Sequence, residues 1–245
     1  MKTKLNIFFI LAVAGLISIA CSDDKITEEN DYQSMQSAAT LKTLSDGTRI
    51  LQLDQDNVLK PSNIKDYAKN PDGRVIVTYE DHGQIEAPAG NSSKWHSGKI
   101  TKLDPILTSK PVEFGASFAS NDRMEVLIDN PMTCVQDGYL TIAYEVGAGN
   151  KDIQHNFTLQ KTDDPLVFYL HHDNNGDISA SQVKEGVVAF DLRDLVPANG
   201  EEHRIVIKYM GFDTAKTIGI FFKDGRYRAP SKMVAHETPM ECYAC

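Results

Sequence analysis

The chain is poor in cysteine, tryptophan and positive charge, and it lacks the compact signatures of common catalytic sites. Its four cysteines, Cys21, Cys134, Cys242 and Cys245, are too few and too scattered to staple a disulfide scaffold. Lysine and arginine number 25 against 34 aspartates and glutamates, a formal charge of −9. An excess of this sign repels nucleic acid and anionic membrane surfaces as a whole, which sets aside nucleic acid as a partner. No Gly-x-Ser-x-Gly, His-Glu-x-x-His, Gly-x-Gly-x-x-Gly or P-loop occurs, so no catalytic residue, metal ligand or cofactor site is assigned from a local motif. Gly147-Ala148-Gly149 is too short to cradle a phosphate and reads as a turn. Long apolar runs are also missing. Leu5 to Ile17 is the longest, broken by Asn6, and a membrane-spanning helix needs ~20 apolar residues.

That run has another use. Lys2 and Lys4 precede it and small residues, Ser18 and Ala20, follow it, which is the layout of a secretory signal. Cys21 comes directly after Ala20. A thiol placed there resembles a bacterial lipobox, in which the cysteine takes a diacylglycerol and residues 1–20 are cut away. Ser22-Asp23-Asp24-Lys25 resembles the acidic export signal of Bacteroidetes surface lipoproteins. Together they imply an outer-membrane protein held by lipid at Cys21 and exposed at the cell surface. Acyl chains hold by burying methylenes at ~0.8 kcal/mol each. Loss of residues 1–20 removes Lys2 and Lys4 and no acid, moving the charge from −9 to −11.

Residues 21–40 are polar and acidic with no helical stripe, and read as a tether. From Leu41 the pattern is β. Thr48 to Leu53 follows the turn residues Ser45-Asp46-Gly47, and Arg74 to Tyr79 alternates with Val75, Val77 and Tyr79 on one face. A short helical turn fits Ile64–Lys69, a loop fits Asp81 to Ser93, and strand character resumes over Lys99 to Leu107. Several short strands and one helical turn predict a small OB-like barrel over residues 41–107. Thr108-Ser109-Lys110-Pro111 reads as a domain boundary. Seven alternating strands follow: Met124–Asp129, Tyr139–Val146, His155–Gln160, Leu166–His172, Val187–Arg193, Arg204–Met210 and Thr217–Lys223. They predict an antiparallel β-sandwich over 111–223. Residues 224–245 lose all periodicity and read as a flexible tail. The fold class is therefore all-β, a barrel followed by a sandwich.

Several clusters merit a chemical reading. Asp173-Asn174-Asn175-Gly176-Asp177 has the start of a calcium loop, but Ile178 and Lys184 stand where glycine and a bidentate glutamate belong, so it reads as a solvated hairpin loop. His171 and His172 end a strand and face opposite ways. His155 can lie across from one of them, short of the three or four ligands zinc needs. Cys242 and Cys245 have redox spacing without the strand-to-helix setting that lowers a thiol pKa, and fit a disulfide or idle thiols. Cys134 reads as a small packed residue. Asp213-Thr214-Ala215 matches a short bacterial O-glycosylation pattern. Trp95 stands with Lys94, His96, Lys99 and Lys102 in a region otherwise balanced at nine basic and nine acidic residues over 41–107. An OB-type fold takes oligonucleotides or oligosaccharides on one face, so this patch is either a ligand contact or a tryptophan that plugs the barrel end.

Over Leu41 to Lys223 the chain resembles the NigD-like lipoproteins of Bacteroidetes. The residues that carry the resemblance are Asp46-Gly47-Thr48, Gly73 to Tyr79, Ile100 to Thr108 with Lys110-Pro111, Gly138 to Ile142 and Val188 to Arg193. The segment after Lys223 departs from that pattern. The resemblance implies an OB-like domain and a β-sandwich. It also implies a non-enzymatic binding or interaction module, of an immunity type linked to bacteriocin clusters, that meets a protein or glycan. It brings no catalytic residues and no cofactor. The alternatives are an envelope hydrolase whose site is dispersed over loops, or a structural envelope component.

Overall fold

The computed structural model describes residues 32–227, apart from 119, 151, 179–180, 197–200 and 224–225. Among them the regular structure is β, with a single 3-10 turn at Ile64–Tyr67. Five strands close the first barrel: β1 (Ser34–Thr43), β2 (Arg49–Gln52), β3 (Asn57–Pro61), β4 (Gly73–Ile85) and β5 (Lys94–Pro105), in the order β1-β2-β3-β5-β4. β1 closes it by pairing along its first part with β4 and along its last part with β2. β3 and β5 run parallel, and register shifts at Thr78/Tyr79 and Asp81/Gly83 let β4 curl. Alternate residues fill the inside: Leu41, Leu51, Leu59, Val77, Tyr79 and Ile100 are buried there together. The turn at Asp46 forms because its carboxylate accepts the Thr48 N–H at 2.8 Å, while Gly47 supplies φ +82°.

The boundaries differ from the sequence reading in four places. The tether expected over 21–40 ends earlier, since Ser34–Thr40 already form β1. In it Ala38 faces the next domain and Ala39 the barrel interior, so neither side carries a run of large apolar residues. β4 extends to Ile85 and β5 begins at Lys94, shortening the expected loop. The expected boundary at Thr108–Ser109 is a two-residue strand, β6, paired parallel with the sandwich. Beyond residue 223, Arg226–Tyr227 form a last strand against Phe222 and Lys223, and the rest of the expected tail lies outside the described residues.

The second half is a two-sheet sandwich. One sheet runs β6-β12-β9-β7, with β7 at Met124–Val126, β9 at Tyr139–Ala148 and β12 at Gln182–Asp191, and β8 (Cys134–Gln136) also pairs with β9. The other runs β10-β11-β13-β14-β15, with β10 at Asn156–Lys161, β11 at Val167–Asp173, β13 at Glu202–Met210, β14 at Ala215–Lys223 and β15 at Arg226–Tyr227. Inward residues such as Leu140, Phe190, Phe168, Ile207 and Phe222 form one core between the sheets. In the β8–β9 hairpin Asp137 and Gly138 have φ of +53° and +76°, the left-handed pair a two-residue hairpin favours. Gly138 has a second reason to lack a side chain, since a Cβ there would meet the Arg193 side chain at 2.4 Å. β6 covers β12 only at Ala189 and Phe190. Across the same sheet Glu185 stands directly opposite Glu145.

The barrel and the sandwich are joined through the outer faces of β1 and β4. Ala38, Ile106 and Ala189 pack there with Ile76 and Val187. Beside them Arg74 is only 2 % exposed. Its guanidinium donates to the Thr40 hydroxyl at 3.0 Å, the Thr141 hydroxyl at 3.0 Å and the Gln136 side-chain oxygen at 3.3 Å. Burial pulls its pKa down, opposed by nearby Cys134 and Asp137. Cys134 is a free, buried thiol there, as expected of a packed residue, with its pKa raised by burial. At the rim Lys42 pairs with Asp137 at 2.6 Å.

Two stability predictions follow from these packings. Arg74→Ala should cost ~2–4 kcal/mol by emptying the joint. Arg74→Met, which fills it without charge, should cost no more than ~1 kcal/mol, because the desolvation penalty disappears with the guanidinium. Equal losses in urea titrations would show that the hydrogen bonds, not the packing, hold the domains together. Trp95 is 2 % exposed and sits on the outside of the barrel with Ile50 and Val58, beneath Leu44, Ile85 and Ala87. Trp95→Ala should cost ~3–5 kcal/mol as a cavity, and native emission should be blue-shifted. A solvent-like spectrum with unchanged stability would overturn this packing.

Candidate functional site

The residues singled out in the sequence do not gather at one place. Trp95 presents no face to a ligand, and it covers the barrel's flank instead of plugging its end, because its neighbours Ile50 and Val58 alternate with the inward-facing Leu51 and Leu59. Lys94, Lys99 and Lys102 are exposed, and Lys102 pairs with Asp104 at 2.6 Å. His96 approaches Asp81 at 3.0 Å. The basic side chains therefore stand on the surface around a tryptophan that is already packed. Cys21, Ser22, Asp23, Asp24, Lys25, Cys242 and Cys245 lie outside the described residues.

The concentration of buried polar chemistry is at one end of the sandwich. His155, before β10, lies opposite His172 of β11, and their Nδ1 and Nε2 atoms are 2.9 Å apart. His172 also reaches the Arg123 carbonyl from its Nδ1 at 3.1 Å. On the far side His155 Nε2 stands 3.4 Å from an Asp177 carboxylate oxygen. All three side chains are buried, at 5 %, 1 % and 6 % exposure for His155, His172 and Asp177. Asp177 also accepts the backbone N–H of Gly149 at 2.8 Å and of Asn150 at 3.2 Å. Thus the loop from β11 to β12 is not a solvated hairpin throughout. Asn175 and Gly176 make its exposed turn, with φ of +52° and +82°, and Asp177 turns inward to satisfy the β9–β10 loop.

Electrostatics follow from this burial. Burial lowers the His172 pKa, and the neighbouring His155 ring lowers it further. Burial works to raise the Asp177 carboxyl, but the Asn150 and Gly149 N–H groups and His155 outweigh it and hold it below the usual range. Asp122 behaves alike: burial opposes ionisation, while Ser120, the Asn174 N–H and the two histidines favour it. His171 faces the other way, stacks on Phe118 at 3.9 Å and bonds Gln160 at 3.1 Å. Its pKa is lowered by burial.

The relay separates two concavities. One, about 220 Å³, opens between the sheets and is lined by Leu107, Tyr144, Val146, Phe157, Lys184 and the His155 ring. The other, about 520 Å³, lies at the sandwich end over Asp122, His172, Asn174 and Asp177. Its rim carries Met210, Phe212 and Ile178, and Ile178 is 89 % exposed. Thr214, in the Asp213-Thr214-Ala215 motif, is exposed two residues from Phe212. The sequence sets His155 across from one of the two strand-end histidines, which is His172, but gives no sign that Asp177, 22 residues from His155, joins them. Among the described residues no group of three or more His, Cys, Asp or Glu side chains is arranged to hold a metal ion.

Comparison with known proteins supports the fold. No curated protein sequence matches the chain. Solved structures do: a toxin-related protein from Parabacteroides distasonis (24 % identity, TM-score 0.62, covering 78 % of this chain and 94 % of that one). A protein of unknown function from Bacteroides vulgatus aligns at 19 % identity and TM-score 0.57, over 78 % and 90 % of the two chains. A NigD-like immunity protein from Bacteroides caccae aligns at 19 % and 0.55, over 78 % and 98 %. At these identities the likeness is one of fold. Residues 105–221, just under half of the chain, match the family model of the NigD-like C-terminal beta sandwich domain. That match, over the sandwich alone, likens the chain to the NigD-like proteins.

Proposed function

We propose that the protein is a lipid-anchored envelope protein that works by binding a protein partner on the end of its sandwich. The observation that carries this reading is the concavity bordered by Ile178 and Phe212. Ile178 is 89 % exposed and Phe212 37 %, and they border a floor that includes the buried His172 and Asp177. A large aliphatic side chain and an aromatic one beside a concave, partly polar floor are the parts of a protein-recognition surface, where apolar anchors supply energy and a polar surround supplies register. Asp122 and Arg123 line that concavity, and Asp213 beside Phe212 pairs with Lys216 at 3.3 Å, so the rim offers charges of both signs to a partner. The bond of His155 to His172 argues against an acid–base enzyme at the relay: the imidazole nitrogen that would serve a nucleophile is already engaged. The relative named an immunity protein favours an interaction of that kind, in which a surface lipoprotein captures an antagonistic protein. Anchoring rests on Cys21 and on the acidic residues that follow it.

Two experiments test these parts separately. Cys21→Ser should abolish incorporation of a clickable fatty acid, and persistent label would remove the anchor. A photo-crosslinking residue at Ile178 or Phe212, in intact cells, should yield one recurrent protein adduct that the same probe at the exposed barrel residue Lys69 does not. Adducts independent of position, or with glycan alone, would remove the partner surface. Ile178→Asp should cut that adduct severalfold while changing stability by less than ~0.5 kcal/mol, as befits an exposed position.

A further inference from the structure

The proton inventory of the relay is fixed by its ends. The Arg123 carbonyl can only accept, so His172 carries its proton on Nδ1. Its Nε2 is then a bare acceptor, and the 2.9 Å contact requires His155 to donate from Nδ1. The other nitrogen of His155 faces the Asp177 carboxylate, which also only accepts. A bond there needs a second N–H on His155, making its ring an imidazolium between a neutral imidazole and a carboxylate. With one proton fewer, a lone pair and a carboxylate would face each other across 3.4 Å inside the protein.

We infer that His155 is a proton-operated latch between the β9–β10 loop and the β11–β12 loop. With both ring nitrogens protonated, it ties His172 of β11 to Asp177, and Asp177 in turn holds Gly149 and Asn150. Removing the second proton breaks the tie to Asp177 and loosens both loops. The charges around the ring suit this role. Asp177 of the β11–β12 loop faces the ring, Asp122 from the segment before β7 stands with His172 at the larger cavity, and Asp152 of its own loop lies at the smaller one. Lys184 of β12 and Tyr144 of β9 line that cavity, and burial holds the His172 pKa down. Asp177 and Ile178 are adjacent, so the latch sets the position of one rim of the proposed partner surface. That consequence rests on the reading above, whereas the latch itself stands on the relay geometry.

Global stability is the wrong readout. His171 and His172 have lowered pKa values when folded, so the unfolded chain binds protons that they refuse. Their contribution is full above the ordinary imidazole value and is lost as pH falls below it, which opposes any gain from the latch. The test is therefore local. In nitrogen-resolved NMR of the soluble chain from about pH 5 to about pH 8, His155 should show both nitrogens protonated at the acid end and His172 only Nδ1. As pH rises, His155 should lose the Nε2 proton, and amide exchange at Gly149 and Asn150 should quicken by about tenfold or more after correction for intrinsic rates. In Asp177→Asn the side-chain amide can donate to a neutral His155 while its oxygen still accepts both backbone groups, so the transition in exchange should vanish. A singly protonated His155 at every pH, or an unchanged transition in Asp177→Asn, would overturn the latch. The wild-type titration decides alone if that variant does not fold. No partner is needed, so its failure leaves the partner surface standing, and failed crosslinking leaves the latch.

Discussion

A guanidinium without a carboxylate is the constraint on which the architecture turns. Arg74 leaves the barrel from β4 and ends among the Thr40 hydroxyl of β1, the Thr141 hydroxyl of β9 and the Gln136 side chain of β8. A buried charge held by neutral oxygens is costly, and it tolerates little displacement, since any widening of the joint leaves donors without acceptors. The small residues Ala38 and Ala189 let the two surfaces approach closely enough for those bonds to form. Barrel and sandwich thus meet through a fixed polar contact set in an apolar seam, with Lys42 and Asp137 pairing at its edge.

That seam also explains what could be read from sequence. Strands with one face in an apolar core and the other in water advertise themselves by alternation, as Val75-Val77-Tyr79 and Ile205-Ile207-Tyr209 do. β1 does not, because Ala38 on its outward face and Ala39 on its inward face are both small, and its first residues read as a linker. β6 and β15 are too short, at two residues each, for any periodicity to register. Trp95 was misplaced for a related reason: its burial is visible from its chemistry, but which side of a closed barrel it occupies depends on curvature and on a covering loop.

The relay was hidden in a different way. Each member had an innocent local reading, a strand-end histidine, a loop histidine and a hairpin aspartate. Only the pairing of β10 with β11, which places Phe157 against His172, brings His155 within reach. The acid of Asp177 is turned inward by the left-handed Asn175-Gly176 step and by the Gly149 and Asn150 N–H groups that donate to it. Backbone need, not a motif, collects the titratable groups. The same arrangement sets a hydrogen-bonded partition between the two cavities.

The barrel has no free edge, but the sandwich is less protected. β12 extends past the two residues that β6 covers, and the sheet surface beyond the joint is not masked by the barrel contacts at Val187 and Ala189. A flat strand with exposed Val183 in such a place is an invitation for a second molecule to extend the sheet. On the neighbouring rungs the chain sets Glu185 across from Glu145, a like-charge pair that weakens its own sheet slightly. On the approach of another copy the same glutamates would meet their own kind. That small internal cost works against two copies zipping together along their sandwiches.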